Sequence, residues 1–589
     1  MIRLKRERHA REWMRKPELR MPVGIPGGTM MIRTTTLALL LSAAIPMIAH
    51  AQTAEDLKND GKTPGDVLTY GMGYAQHRYS PLTQINRQNV KRLVPAWSYS
   101  MSDNRGLEAQ ALVKNGVVYL TDHEKTVAVD AMNGKEIWKS LIEYPPETTR
   151  VVCCGIVNRG GALFDGKLYR TTLDANVIAL DIKDGKEVWR TKSADPKDGY
   201  SMTVAPLVAN GIVIAGISGA EYGARGYLEG FDAQTGASLW RTYTVPAKGE
   251  PGSETWTGDS AKTGGGSTWV TGSYDPELDL VFWGIGNPAP WNPLNRKGDN
   301  LHTNSIVAFH PKDGKPVWYY QMTPNDPFDY DGVNELIQAD LTVDGTPRKV
   351  VMQANRNGFL YVIERATGKL LAANKFVRVN WADRIDMQTG RPVWSEETKT
   401  VIAEGGKFLI YPSVAGGKNW APMSFNPTNN TLYVNTLDFG MNYETLPAEQ
   451  FANLKAGQPH YGVKFPAEYY PDKRGHLRAI DPLTGKAKWE VPFKSPNIAG
   501  TMVTAGGLVF TGQMTGEFFA ADADNGKILW QFQTPSGIVG QPITWEKDGK
   551  QYVTVTSGIG GVYALKSGDP NLAKVPAGGT LWTFKLFED

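Results

Sequence analysis

Cysteine is nearly absent from this sequence. Among 589 residues there are two, and they are neighbours, Cys153 and Cys154. No Cys-x-x-Cys-His occurs, which excludes a covalently attached c-type haem. The eight histidines form no cluster with them that would read as a zinc site. No basic stripe with interleaved aromatics follows residue 51, so nothing argues for nucleic acid as a partner. Residues 37–49 (LALLLSAAIPMIA) are apolar, but the run is too short and too proline-interrupted to span a membrane.

That run has another use. It follows Arg33 and precedes Ala49-His50-Ala51, the small-x-small pattern of a secretory cleavage site. Residues 1–51 are therefore expected to be an export segment. Residues 1–29 are either a long basic n-region or a mis-called start ahead of Met30 or Met31. Residues 1–51 hold nine Lys/Arg against three Asp/Glu, so the remainder carries −3 where the whole chain carries +3. The apparent basicity belongs to the export segment.

Export makes a Cys153–Cys154 disulfide possible. Adjacent Cα atoms stand about 3.8 Å apart, short of the usual disulfide span of about 4.4–6.8 Å. Such a ring is strained and suits a functional site better than a staple. Two free buried thiols are the alternative.

What the sequence does contain is repetition. Hydrophobic residues make up 41% and charged residues 21%, a globular balance, and Gly (63) and Trp (17) are plentiful. One motif recurs at residues 128–138 (AVDAMNGKEIW), 179–189, 230–240, 308–318, 479–489 and 520–530, with a seventh copy at 362–372 ending in Ala372 instead of Trp. Each copy has a tight-turn signal at its centre, and short apolar strands precede it. The terminal Trp suits wedging between neighbouring sheets. The pattern predicts an all-β, eight-bladed β-propeller over residues 52–589 as one domain. The eighth blade would combine strands at 551–557 and 561–566 with an N-terminal strand near 94–100. Long loops are expected in 240–318 and 372–489, with little regular structure at 441–450.

Residues 328–335 (FDYDGVNE) place Asp329 and Asp331 two apart. In extended backbone both would face one side, and like charges so close call for a cation or a shared proton. Alone, the pair reads equally as a solvated acidic loop. Glu221 reads locally as a surface residue paired with Arg225, and Asn287 as an ordinary Gly-Asn-Pro turn residue.

Further motifs lie outside the repeat: residues 71–86 (GMGYAQHRYSPLTQIN), 153–160 (CCGIVNRG), 218–226 (SGAEYGARG), 264–269 (GGGSTW), 286–292 (GNPAPWN), 329–335 (DYDGVNE) and 355–361 (NRNGFLY). Together and in this order they resemble the pyrroloquinoline quinone (PQQ)-dependent alcohol dehydrogenases over residues 60–585, nearest the soluble periplasmic ethanol and methanol enzymes. The resemblance implies a metal held by Glu221, Asn287, Asp329 and Asp331, with Asp329 also the general base. It implies a PQQ site of Glu108, Cys153, Cys154, Arg159, Thr203, Ser218, Gly219, Ala220, Trp269, Arg356, Asn419 and Trp420. In it the quinone stacks between Trp269 and the cysteine pair. Calcium-using members carry a small non-acidic residue at the Asp331 position and lanthanide-using members carry Asp, so a lanthanide is implied, with calcium as alternative.

The expectation is a periplasmic oxidation of primary alcohols to aldehydes, ethanol-type, with electrons passing to a separate soluble c-type cytochrome. A methanol dehydrogenase and a calcium enzyme are the near alternatives. A homodimer is the family expectation. The distant alternative is a propeller with no catalytic role, because the repeat alone leaves function open.

Overall fold

Each repeat copy becomes the turn joining the third and fourth strands of a four-stranded antiparallel meander, to which Tyr79–Ser80 adds a parallel fifth strand in the sheet at 501–533. The motif aspartate starts that turn. The Asp130 carboxylate, for example, accepts the backbone N–H groups of Met132 and Asn133. The motif glycine then takes a left-handed conformation, with φ between +66° and +75° in all seven copies. The computed structural model describes residues 52–102, 105–453, 455–464, 474–561 and 568–588. The expected export segment and nearly all of the expected strand at 561–566 lie outside them.

Eight such sheets occur among the described residues. Seven follow in chain order, spanning 112–141, 162–192, 207–243, 273–321, 337–375, 424–493 and 501–533. The eighth combines Ile543–Lys547, Lys550–Ser557 and Thr580–Leu586 with Leu93–Ser100, so one strand from near the N-terminus completes a sheet of the C-terminal part. The expected closure is present, with Thr580–Leu586 as its third strand. All eight sheets are paired through, which leaves no open seam in the ring.

The tryptophans lock each blade to the next. The indole N–H groups of Trp97, Trp138, Trp189, Trp240, Trp318, Trp489 and Trp530 donate to Ala131, Ile182, Ala233, Pro311, Arg365, Ala523 and Leu93 carbonyls at 2.8–3.1 Å. Each acceptor belongs to the following blade. The one gap is at Ala372, where Asn374 on the same strand donates its amide to Leu483 O at 2.7 Å. Six of these indoles lie against the motif glycine of the next blade, where a Cβ would overlap the ring.

Gly185 and Gly211 separate two costs of losing glycine. Both have left-handed φ, but a Cβ on Gly185 meets the Trp138 ring and one on Gly211 meets nothing. Gly211→Ala should cost about 1–2 kcal/mol from backbone strain alone. Gly185→Ala should cost about 1–3 kcal/mol more. Urea midpoints at unchanged m-value measure the difference, and equal losses would refute the docking role.

Strand parity decides where function sits. In a meander of four strands, connections from second to third strand and from one blade to the next emerge on one face. The repeat turns emerge on the other. Inner strands are buried and outer ones half exposed, as in Leu280–Gly284 against Ser238–Tyr243. Residues 67–80 fill the axis, bonding through their backbone to the first strands of five blades at Val113, Tyr274, Gln338, Phe425 and Val503.

The second long insertion differs from expectation. Met441–Thr445 is a strand, paired with Lys407–Ile410 and Val463–Lys464. Its alternate residues Met441 and Tyr443 are buried, and Tyr443 meets Phe328 edge-on at 5.1 Å. A buried aromatic floor gave period-two side chains something to pack against.

Candidate active site

One cavity of about 510 Å³ opens on the face carrying the second-to-third-strand and inter-blade connections. Every residue lining it comes from one of those two kinds of connection. Glu108, Cys153, Cys154, Arg159, Thr203, Ser218, Gly219, Glu221, Trp269, Asp329, Asp331, Arg356, Asn419 and Trp420 all line it. Asn287 sits directly behind the wall. Ala220 is buried in the short turn before Glu221 and does not line the cavity.

At one end Arg159 pairs with Glu108 at 2.8 Å and donates to Thr203 Oγ1 at 2.6 Å. Its guanidinium lies 4.7 Å from the Trp269 ring and 4.9 Å from the Trp420 ring. Cys153 and Cys154 are joined as a vicinal disulfide, which disposes of the two-thiol alternative. Ser201 Oγ and Trp420 Nε1 are buried without a hydrogen-bond partner. Cationic and hydroxyl donors beside indole faces suit a planar polycarboxylate, so these residues fit PQQ.

At the other end Arg356 donates to Asp329 Oδ2 at 3.0 Å and to Asp331 Oδ2 at 2.6 Å. Asp331 Oδ1 also accepts the Asn287 N–H at 2.9 Å. Glu221 Oε1 accepts from the Asn287 amide at 3.0 Å and from the Trp291 indole at 3.3 Å. Turning the Asn287 amide end for end would offer its oxygen instead. Burial pushes the Glu221, Asp329 and Asp331 carboxyls above their usual range, and for Glu221 and Asp329 neighbouring carboxylates add to this. Arg356 opposes the rise for both aspartates. One guanidinium cannot balance three buried carboxylates. The set is all oxygen and amide, which fits a hard cation of high coordination number.

Two local expectations change here. Asp329 has φ +61°, so the aspartates converge through a left-handed turn and a shared arginine, not through extended alternation. Arg225 pairs with Glu250 at 3.6 Å and bonds Val245 O, leaving Glu221 to the cavity. The sequence reading also missed Gly155, Ser201, Ser267, Trp291, Val414, Ala415, Tyr461, Ile498 and Gly561 on the wall. Ser267 and Trp291 stand inside motifs quoted above. Tyr461 lies in a loop with no local signal.

The loop bearing Asn419 and Trp420 is pinned from beneath. Lys418 Nζ meets Glu335 Oε2 at 2.7 Å, both side chains fully buried, while Glu335 Oε1 accepts Met423 N–H. Burial lowers the Lys418 pKa, and Glu335 holds it up. Lys418→Met should cost about 3–5 kcal/mol because it strands the Glu335 charge. Adding Glu335→Gln should recover most of that in urea unfolding.

The PQQ profile described as "Glucose/ethanol/alcohol dehydrogenase, beta-propeller domain" matches residues 68–383 and 470–553. The chain is 42% identical to quinohemoprotein alcohol dehydrogenase ADH IIB of Pseudomonas putida, covering 91% of this chain and 80% of that one. It is 40% identical to the lanthanide-dependent methanol dehydrogenase of Methylacidiphilum fumariolicum, covering 90% of each. A solved europium-containing methanol dehydrogenase superposes with a TM-score of 0.86 at 39% identity, covering 90% of this chain and all of that one. This chain belongs to the PQQ-dependent alcohol dehydrogenase family. It is an enzyme that oxidises alcohols, and the non-catalytic scaffold is set aside. No helix among the described residues is long and apolar enough to cross a membrane.

Proposed function

We propose that this protein oxidises primary alcohols of the ethanol type, over a broad range, to aldehydes with a lanthanide in its site. The carrying observation is that Glu221, Asp329 and Asp331 are buried on the wall of one cavity, where Arg356 pairs with the two aspartates and Asn287 bonds both Glu221 and Asp331. Glu221, Asn287, Asp329 and Asp331 would hold the cation. Arg159, Thr203, Ser218 and Glu108 would hold the carboxylate-bearing edge of PQQ, with Trp269 and the Cys153–Cys154 ring on its two faces. Gly219 and Ala220 shape the adjoining turn, and Asn419 and Trp420 close the far edge.

When bound, PQQ supplies the acceptor for the hydride leaving the alcohol carbon, and the cation supplies Lewis acidity. The chain supplies the rest. Asp329 removes the alcohol hydroxyl proton. Arg356, donating to both aspartates, opposes the rise that burial imposes on the Asp329 carboxyl and fixes its orientation. Its preorganised positive charge would also stabilise charge developing on oxygen atoms of a bound cofactor.

A third carboxylate supports the trivalent ion, since each added anionic oxygen offsets one more positive charge. Two relatives whose names carry a lanthanide or europium lend weight to the same assignment. We assign the next electron transfer to a separate soluble c-type cytochrome. We further propose export to the periplasm, resting on residues 37–51, and a homodimer. N-terminal sequencing of the exported protein should find residue 52 first. Reconstituting apo-enzyme with PQQ and either La³⁺ or Ca²⁺, and following dye reduction with methanol, ethanol and longer alcohols, tests the whole reading. Alcohol-dependent reduction only with Ca²⁺ would overturn the lanthanide assignment, and a preference for methanol the ethanol one.

A further inference from the structure

The wall opposite Arg356 contains an aromatic pair that the reaction itself does not use. Trp291 donates its indole N–H to Glu221, and the Tyr461 ring stands edge-on to it, centroids 5.2 Å apart with planes at 72°. Both side chains line the same cavity as Asp329 and Val414. Tyr461 packs against the cluster containing Trp291, Phe328 and Tyr330. Burial raises its hydroxyl pKa, and Glu221, Tyr222 and Asp329 add to the rise.

The position of Tyr461 is built, not incidental. It belongs to the loop between the second and third strands of the sixth blade, beyond the Thr445–Val463 pairing. The loop is tied at its base by Leu446 N–H to Gly462 O. It is then fastened to two other blades. Gly457 and His460 donate to the Tyr222 and Glu221 carbonyls at 2.8 and 2.6 Å, and Trp291 N–H donates to Tyr461 O at 2.9 Å. Asn292 and Asn295 amides reach Leu446 O and Ala448 O. Gly462 has φ +77°, and a Cβ there would collide with Asn292, so the chain passes flush against the Trp291 segment. A loop backbone fixed at this many points, with the ring packed edge-on against Trp291, leaves Tyr461 little freedom to move aside for a ligand.

We propose that Tyr461 is a specificity-determining residue, the end wall that limits how long or bulky an alcohol can be while its hydroxyl reaches Asp329. The inference rests on Asp329 being the base. With the PQQ end of the cavity committed to Arg159 and its neighbours, the alcohol's carbon chain must extend from Asp329 along Trp291 toward Tyr461. A rigid aromatic surface there packs well against a short chain and collides with a long one.

The test uses holoenzyme carrying Tyr461→Ala, Tyr461→Leu or Tyr461→Phe, with kcat and KM measured for ethanol, 1-hexanol and 2-phenylethanol. Bound metal and PQQ are quantified in each. Tyr461→Ala should raise the 1-hexanol to ethanol ratio of kcat/KM by about tenfold, chiefly through a lower KM for hexanol, in line with a few accommodated methylenes. Tyr461→Leu should move it in the same direction by less, and Tyr461→Phe should leave it unchanged. The Leu variant decides the matter if the Ala variant does not fold. A ratio within twofold of the parent in every folded variant with full metal and PQQ overturns the proposal, as does a change seen only in Tyr461→Phe. Failure of the underlying reading looks different, since Asp329→Asn would then keep activity within tenfold of the parent.

Discussion

Asp329→Asn should lower kcat for ethanol by about 10²–10⁴-fold, the range expected when a positioned general base is lost. Asparagine keeps the size and an oxygen donor, so Arg356 and the cation site retain a partner there. Bound PQQ and metal should stay near parent levels, measured by absorbance and elemental analysis. The loss should fall on kcat more than on KM, because the proton moves only in the transition state. Kinetics with 1,1-dideuterated ethanol sharpen the test. Slowed base chemistry should leave hydride transfer isotope-sensitive, whereas a variant merely short of metal would show parent kinetics at lower amplitude. Activity within tenfold of the parent would remove Asp329 from the role.

Asp331→Ala should separate the metals. The parent reconstituted with PQQ and La³⁺ should be active. The variant should lose on the order of 10²-fold of that activity, at least the cost of disturbing a group around a metal site. With Ca²⁺ the change should be much smaller or reversed, because a divalent ion needs less negative charge around it. Arg356 loses one of its two carboxylate partners in this variant, so thermal stability should be followed alongside. Full Ca²⁺ activity in the parent, unchanged by Asp331→Ala, would sink the lanthanide assignment. Equal loss with both ions would instead mark Asp331 as holding Arg356.

These predictions, with the glycine, buried-pair and Tyr461 variants, probe different levels of one architecture. The blade docking is a matter of shape and one hydrogen bond per junction. The Glu335–Lys418 pair is buried charge supporting a loop. The three carboxylates are charge concentrated where a cation can use it. The last level is the most sensitive, since burial has already raised the carboxyl pKa values and only a bound cation or Arg356 offsets the repulsion.

Much of this was legible from residues alone, for a stated reason. A repeat of Asp, Gly and Trp at constant spacing is a local code. The aspartate and glycine make the turn within a few residues, and the tryptophan reaches a neighbour whose own turn is identical. Eight blades and their closure follow from such a pattern. The site was legible differently, through motifs whose order along the chain resembles a known family. What only the tertiary structure decided are relations between distant segments. Strand parity gathered every cavity residue on one face, and Asn374 took over the junction that Ala372 leaves open. Asp329 converged on Asp331 through a left-handed turn against Arg356, where extended alternation had been expected. Tyr461 carries no local signal because its place is set by carbonyls of Tyr222 and Glu221, about 240 residues earlier in the sequence. Local codes specify turns and strands, while side chains meeting across blades depend on where the whole ring closes.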